Sequence, residues 1–216
     1  MSQLFRPSAN NLARASILGG VVLLGGIGFA VLAFERSPWV TRQGVVMEQP
    51  IPFSHDHHVA QIGIDCRYCH TSVEVAASAG IPPTATCMNC HNMLFTNADM
   101  LEPVRASLRE EKPLEWNRVH DLPDFAFFNH SVHLANGMGC STCHGKVHEM
   151  QLMFRENTLQ MNWCIDCHKN PAPHVRPKDK LFDTTWDPAS LSDEERATLV
   201  AEYDLQPKLS CSTCHR

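Results

Sequence analysis

The chain has 216 residues, enough for one or two domains, with 18 Lys and Arg against 23 Asp and Glu and a formal net charge of −5. That balance gives nucleic-acid binding no electrostatic support. Ten cysteines and 13 histidines are both high counts, and the ordinary hydrophobic fraction of 44% is concentrated near the N-terminus.

Residues 1–14 read as a short tail carrying Arg6 and Arg14. They lead into ASILGGVVLLGGIGFAVLAF, residues 15–34, a run of 20 uncharged residues before Glu35. As a helix it is long enough to cross ~30 Å of hydrocarbon. A cleaved leader is the competing reading, with VLA at 31–33 as a tolerable cleavage site, but a leader's apolar core is usually only ~7–15 residues. An uncleaved transmembrane helix is therefore expected. Small residues four apart, Ala15/Gly19, Ser16/Gly20 and Gly26/Ala30, suggest a face for another helix, and Trp39 suits a membrane interface. Charge does not orient the span, because Arg6 and Arg14 precede it while Arg36 and Arg42 follow it. Residues 35–52 read as a Pro-containing linker.

From Phe53 onward cysteine sets the pattern. All ten cysteines fall in CxxC pairs, each followed at once by His: CRYCH (66–70), CMNCH (87–91), CSTCH (140–144), CIDCH (164–168) and CSTCH (211–215). Zinc ribbons use two such pairs per metal, so five pairs leave one over. A thioredoxin-like motif would occur once beside a βαβ pattern, and none is evident. Disulfides of a secreted chain would leave the histidines unexplained. Chance placement of His after all five pairs is about one in a million at this His content. CxxCH is the attachment motif for c-type haem. Cys66, Cys69, Cys87, Cys90, Cys140, Cys143, Cys164, Cys167, Cys211 and Cys214 would form thioethers to the vinyl groups. His70, His91, His144, His168 and His215 would be held beneath the irons as proximal ligands. Five covalently bound c-type haems are expected.

Eight histidines lie outside these motifs: His55, His57, His58, His120, His130, His133, His148 and His174. An internal repeat sorts them. FSHDHHVAQIGIDCRYCH, residues 53–70, matches FFNHSVHLANGMGCSTCH, residues 127–144, with one gap, and both contain F-x-H-x-x-H. Each copy is followed by a second attachment site, so the unit is two haems, present twice, with a fifth appended. Imidazoles three apart share one side of a helical turn, so each pair is expected to reach two different irons. His57 aligns with Val132 and His148 with Glu74, so both are read as surface or supporting residues. The distal ligands are then His55, His58, His120, His130 and His133, with His174 in reserve. Met93, two residues after a proximal His, and Met150 are rival ligands; Met would raise the potential of its haem.

NADMLEPVRASLREEK, residues 97–112, reads as a short helix with Met100, Val104 and Leu108 on one face. LSDEERATLVAEY, residues 191–203, reads as an amphipathic helix opened by a Ser192/Glu195 capping box. Haems one and two are placed in 53–96, three and four in 113–174, and the fifth in 205–216. No strand-rich pattern is present. The expected fold is mainly α with much irregular loop: one N-terminal transmembrane helix and a small, internally duplicated multihaem domain over 53–216. About 180 residues for five haems is roughly 36 each, too few to build a core around them. The cofactors would supply much of the buried apolar surface, and the chain without them should be largely unfolded.

CRYCHTSVEVAASAGIPPTATCMNCH, RVHDLPDFAFFNHSVH and CHGKVHEMQLMFRENTLQMNWCIDCHKNP, with the terminal CSTCHR and the single N-terminal span, resemble the membrane-anchored pentahaem subunit of alternative complex III. That complex is a bacterial quinol:electron-acceptor oxidoreductase. The F-x-H-x-x-H units also resemble the small cytochromes c3 and c7, and His148 departs from the subunit pattern. The resemblance implies a relay of electrons from quinol oxidation to an external cytochrome c, copper protein or oxidase, with no catalytic residue in this chain. It implies as partners an iron–sulfur subunit, polytopic quinol-oxidising membrane subunits and a monohaem cytochrome c. It also implies a haem domain on the periplasmic side of the inner membrane, with residues 1–14 in the cytoplasm. The competing functions are a stand-alone membrane-anchored multihaem quinol dehydrogenase and a multihaem reductase, which needs an open iron position.

Overall fold

The computed structural model describes residues 5–215, and contacts divide the chain into two units after Arg42. In the first unit, helix α1 runs Ser8–Glu35 over 28 residues and none of its side chains is buried. It starts earlier than the apolar run, because Asn10, Asn11 and Arg14 extend the same helix by polar turns. Leu18, Val22, Leu24 and Phe29 stand exposed around it. A helix apolar on every side is built for surroundings that are themselves apolar, and this one is long and apolar enough to cross a membrane. It ends where Ser37 Oγ donates to Phe34 O at 2.6 Å, and Pro38 then opens the short helix α2, Pro38–Thr41.

The second unit holds short helices separated by loops. Helices α3 (Cys66–Cys69), α4 (Thr84–His91), α7 (Cys140–His144), α8 (Met161–Lys169) and α10 (Cys211–Cys214) each carry one CxxC pair. Helix α5 is Glu102–Glu110, α6 is His130–Ala135 and α9 is Asp193–Glu202. Among the described residues, β structure is confined to isolated bridges, Gln43 with Arg155, Val46 with Phe154, and Met138 with Val175. Those bridges revise the expected linker. Gly44 N donates to Arg155 O at 2.7 Å, and Gln49 exchanges hydrogen bonds with the Asn117 backbone, so residues 43–49 pack as part of the second unit.

Two other expectations change in detail. Of the apolar face expected over 97–112, Val104 is buried, but Met100 is 58% exposed and Leu108 45% exposed. The turn Asp99–Leu101 is 3₁₀, which rotates Met100 off the face that α5 buries. The segment after His55 is a π-helix, Asp56–Gln61, whereas its counterpart after Asn129 is α-helical. The reason is one residue: eight positions separate His58 from Cys66 and seven separate His133 from Cys140. A π-turn is the usual way a helix absorbs a single insertion, and Gln61 Nε2 reaching back to Asp56 Oδ2 at 2.8 Å closes the wider ring.

Helix α9 carries the capping box read from the sequence, with Glu195 N donating to Ser192 Oγ and Ser192 N donating to Glu195 Oε2. Buried apolar packing is sparse. Val73, Leu134 and Leu181 form one cluster; Met138, Val175 and Leu199 form another, bordered by Tyr203 and Leu205. Both clusters are formed between loops and helix ends rather than between long helix faces. Ser192→Ala should cost about 1 kcal/mol of stability through the lost cap. Leu134→Ala should cost about 2–5 kcal/mol through the cavity it leaves. Chemical denaturation of the cofactor-loaded protein measures both, and an equal or reversed order would contradict this packing.

Candidate functional site

A CxxC pair on a helical turn puts both sulfurs, three residues apart, on one face, and the following His leaves from the end of that turn. The five helices achieve this with different caps. Asp65 caps α3 by accepting from Arg67 N, and Arg67 closes the loop by an ion pair to Asp65 at 2.9 Å. Helix α7 starts after Gly139, over which the Arg176 guanidinium lies so closely that any side chain there would collide with it. Arg176 is 1% exposed and donates to Ser141 Oγ at 3.0 Å and to the carbonyls of Lys180 and Asp183. It therefore clamps the α7 turn to residues 180–183. Sequence reading missed Arg176, because nothing in VRPKDK marks a buried guanidinium.

None of the ten thiols is in a disulfide. Burial raises Cys69, Cys87, Cys164 and Cys167, and pushes Cys143 up to about 12. The thiols of Cys66 and Cys140 share a hydrogen bond that drives the pair apart, Cys140 upward and Cys66 down to about 7. Among the described residues no group of three or more His, Cys, Asp or Glu is gathered to hold a bare metal ion.

The imidazoles are arranged differently. Ring centroids of His58 and His91 lie 6.2 Å apart, as do those of His133 and His168, and of His130 and His144. With metal–nitrogen bonds of ~2 Å, two imidazoles on opposite faces of one iron have centroids roughly 6 Å apart. The residues therefore fit a haem iron between each pair. His55 lies close enough to His70 for each imidazole to feel the other's charge. His130 and His133, three residues apart, thus face the histidines of two different attachment helices.

The contacts that orient these rings recur in both copies. Phe53 meets His55 edge-on at 5.0 Å and 87° and stacks on His58 at 4.4 Å and 24°. Phe128 meets His130 at 4.8 Å and 87° and stacks on His133 at 4.3 Å and 25°. The angles within the paired rings match too, 63° for His58/His91 and 60° for His133/His168. Phe at the first position of F-x-H-x-x-H thus fixes ring planes, a role its spacing alone did not disclose.

Hydrogen bonds settle which nitrogen is free. Nδ1 of His70 donates to Gly80 O at 2.7 Å, His91 to Leu94 O at 3.2 Å, His168 to Lys208 O at 3.2 Å and His215 to Phe125 O at 3.0 Å. His58, His130 and His133 do the same toward Ser54 O, Ala77 O and Asn129 O. A carbonyl only accepts, so the proton sits on Nδ1 and Nε2 keeps its lone pair for a metal. Gly80 holds its carbonyl in place with φ +78, and a side chain there would meet Ser72 Oγ at 2.8 Å. Burial, then His70 and His58, lowers His55 to about 4; burial, then the surrounding His120, His130, His70 and His55, lowers His144 to about 3. Burial likewise lowers His58 and His133, partly opposed by their backbone hydrogen bonds. Neutral imidazole is the ligating form.

The remaining residues fall as follows. His120 packs edge-on against His144, centroids 4.2 Å apart, and its buried Nε2 has no hydrogen-bond partner. Burial, then Arg155 and His130, lowers it to about 4. Arg155, another residue sequence reading missed, holds the flanking backbone by donating to Val119 O and Asp121 O. The ring against His215 is Phe125, at 5.8 Å. His174 is half-buried on the turn Ala172–His174 beside Arg196, Met93 is 78% exposed next to His91, and Met150 is buried with its carbonyl accepting from Asp56 N. His57 is exposed and pairs with Gln61 at 3.2 Å. His148 is buried, 3.5 Å from Glu149, and so not on the surface.

Residues 126–216 match the family described as cytochrome c7 and related cytochrome c. Over 144 residues, 57% of this chain and 69% of the relative, the sequence is 31% identical to the menaquinone reductase, multiheme cytochrome c subunit, of Nitratidesulfovibrio vulgaris Hildenborough.

Proposed function

This chain belongs to the family of multihaem cytochrome c subunits that the Nitratidesulfovibrio protein represents, and from that membership we propose that it relays electrons between quinol and an acceptor protein. The observation that carries the reading is the set of imidazole pairs held 6.2 Å apart beside CxxCH helices. When bound, c-type haem supplies a one-electron ferric–ferrous couple at each site. The chain's residues hold and tune it. The ten cysteines anchor five haems, and His70, His91, His144, His168 and His215 are the proximal ligands. His55, His58, His130 and His133 are the distal ligands of the first, second, third and fourth sites. For the fifth, His120 is favoured: its Nε2 is unpartnered and its segment runs on to Phe125, whose carbonyl accepts from His215 Nδ1, and to Phe127, whose N donates to Cys214 O. His174, Met93 and Met150 stand in reserve.

Helix α1 would anchor the chain in a bacterial inner membrane with the haem domain outside. The resemblance in the attachment stretches supports a place in alternative complex III. Its neighbours there would be an iron–sulfur subunit, polytopic quinol-oxidising subunits and a monohaem cytochrome c, with a cytochrome c, copper protein or oxidase as acceptor. The second reading runs electrons toward quinone, and the menaquinone reductase relative favours it. The two differ in which side reduces the haems. In anaerobic native membranes, added quinol should reduce the haem absorbance of the wild-type chain. His58→Ala should turn one low-spin ferric signal high-spin by electron paramagnetic resonance, with haem content by mass unchanged. Quinol that leaves the haems oxidised would contradict the favoured direction. An unaltered low-spin spectrum in the variant would contradict the ligand pairing.

A further inference from the structure

The Arg176 guanidinium is buried without a carboxylate to cancel its charge. Among the described residues no Asp or Glu forms an ion pair with it, although Asp183 is near enough for its charge to be felt. The Asp183 carboxylate is turned to other partners: Oδ1 accepts from Thr185 N at 3.0 Å and from Thr185 Oγ1 at 2.7 Å, and Oδ2 pairs with Lys180 Nζ at 3.3 Å. Residue 183 offers Arg176 only its backbone carbonyl, at 3.3 Å. The other acceptors are neutral too: Lys180 O at 3.2 Å, Ser141 Oγ at 3.0 Å and Thr142 Oγ1 at 3.4 Å. The Trp186 ring lies over the guanidinium at 4.8 Å, and Nε is buried with no hydrogen-bond partner. Arg67, on the first attachment turn, is the contrast: it is exposed and neutralised by Asp65 at 2.9 Å.

A guanidinium stays charged at any ordinary pH. Keeping that charge buried and unpaired is costly, and several features of the chain serve to keep it there. Gly139 has no Cβ, and one would collide with Nε, Cδ and Cζ of Arg176. Arg176 N donates to Gly137 O at 2.9 Å, and Gly137, at φ +78, is enclosed by Tyr203 and Val175. The charge is thereby fixed against one attachment turn. Ser141 and Thr142 are the two residues between Cys140 and Cys143. The bond shared with Cys66 and then burial raise Cys140, and burial raises Cys143; the guanidinium acts on both thiols in the opposite sense. Its field therefore reaches both sulfurs by which the third haem would be attached.

We propose that Arg176 is a positioning residue that sets the reduction potential of the third haem: an uncancelled positive charge, fixed behind the Cys140–His144 turn, which favours an electron on that iron. The inference rests on the haem reading of the attachment motifs and adds a residue that tunes one site among five. Reduction adds one electron, taken from a quinol or a chemical reductant, and lowers the positive charge of the iron by one, with no bond made or broken. A fixed positive charge repels the ferrous centre less than the ferric one, and burial under Trp186 keeps water from screening it. The hydrogen bonds to Ser141 and Thr142 keep the charge from moving away when the iron is oxidised.

The test uses the full-length holoprotein in detergent, with haem content taken by intact mass and each haem followed by its methyl proton resonances through a redox titration. The third haem is recognised by proton contacts from its substituents to the β-protons of Cys140 and Cys143. Arg176→Met should lower its reduction equilibrium constant roughly tenfold, more than that of any other haem. Arg176→Lys, which keeps the charge and loses the planar fork, should restore most of the difference. Trp186→Leu, which removes none of the hydrogen bonds of Arg176 and admits water to screen the charge, should shift the third haem the same way by less. Equal shifts in the Met and Lys variants would reduce Arg176 to a structural clamp and overturn the proposal. If the Met variant fails to hold its haems, Trp186→Leu decides, and a third haem unmoved there would overturn it. Five haems with an unmoved third potential would contradict this inference alone, whereas a wild-type mass without haem would contradict the haem reading itself.

Discussion

The structure depends on imidazole rings held across a fixed gap from one another. Outside α1 the chain buries few apolar side chains, most of them in two small clusters, and most of its helices carry the attachment motifs rather than pack long faces together. What organises the loops is a set of carbonyl oxygens, each accepting an Nδ1–H and each drawn from a segment remote from the histidine or one turn away. Gly80, Ala77, Lys208 and Phe125 lie on otherwise irregular backbone, and their conformation is explained by the ring each one aims. A small domain that cannot build an apolar core usually borrows one from a metal or cofactor. The expected haems would fill that place here.

Arginine does the corresponding work behind the attachment turns. Arg176 is buried against Gly139 and ties the third site to residues 180–183, while Arg155 ties the loop at Val119 and Asp121 beside His120. Arg176 donates to a hydroxyl of the α7 turn and to the carbonyls of Lys180 and Asp183, which keeps its positive charge beside the third site. Positive charge next to a redox centre favours its reduced form.

Much of the site was legible in sequence because covalent attachment needs residues adjacent in the chain. CxxCH is a local motif, and the repeat of F-x-H-x-x-H in register with it marked four further histidines. The capping box at Ser192 and Glu195 was legible for the same reason. Pairing between distant residues was not: no spacing shows that His58 faces His91 and His133 faces His168, or that Phe53 sets the rings of both His55 and His58. The π-turn at Asp56–Gln61 could have been inferred from the single-residue gap between the two copies. Arg155 and Arg176 could not, because burial of a guanidinium depends on which carbonyls the fold brings to it. The face expected at Met100 and Leu108 failed because a periodic stripe says nothing of whether a neighbour is there to cover it.

The most direct measurement is the intact mass of the native protein, taken with its circular dichroism before and after the haems are excluded during expression. Five covalently attached haems per chain, with helical structure lost when attachment is blocked, is the result this account predicts. Zinc or disulfides in place of haem, or a chain that keeps its fold without them, would contradict it.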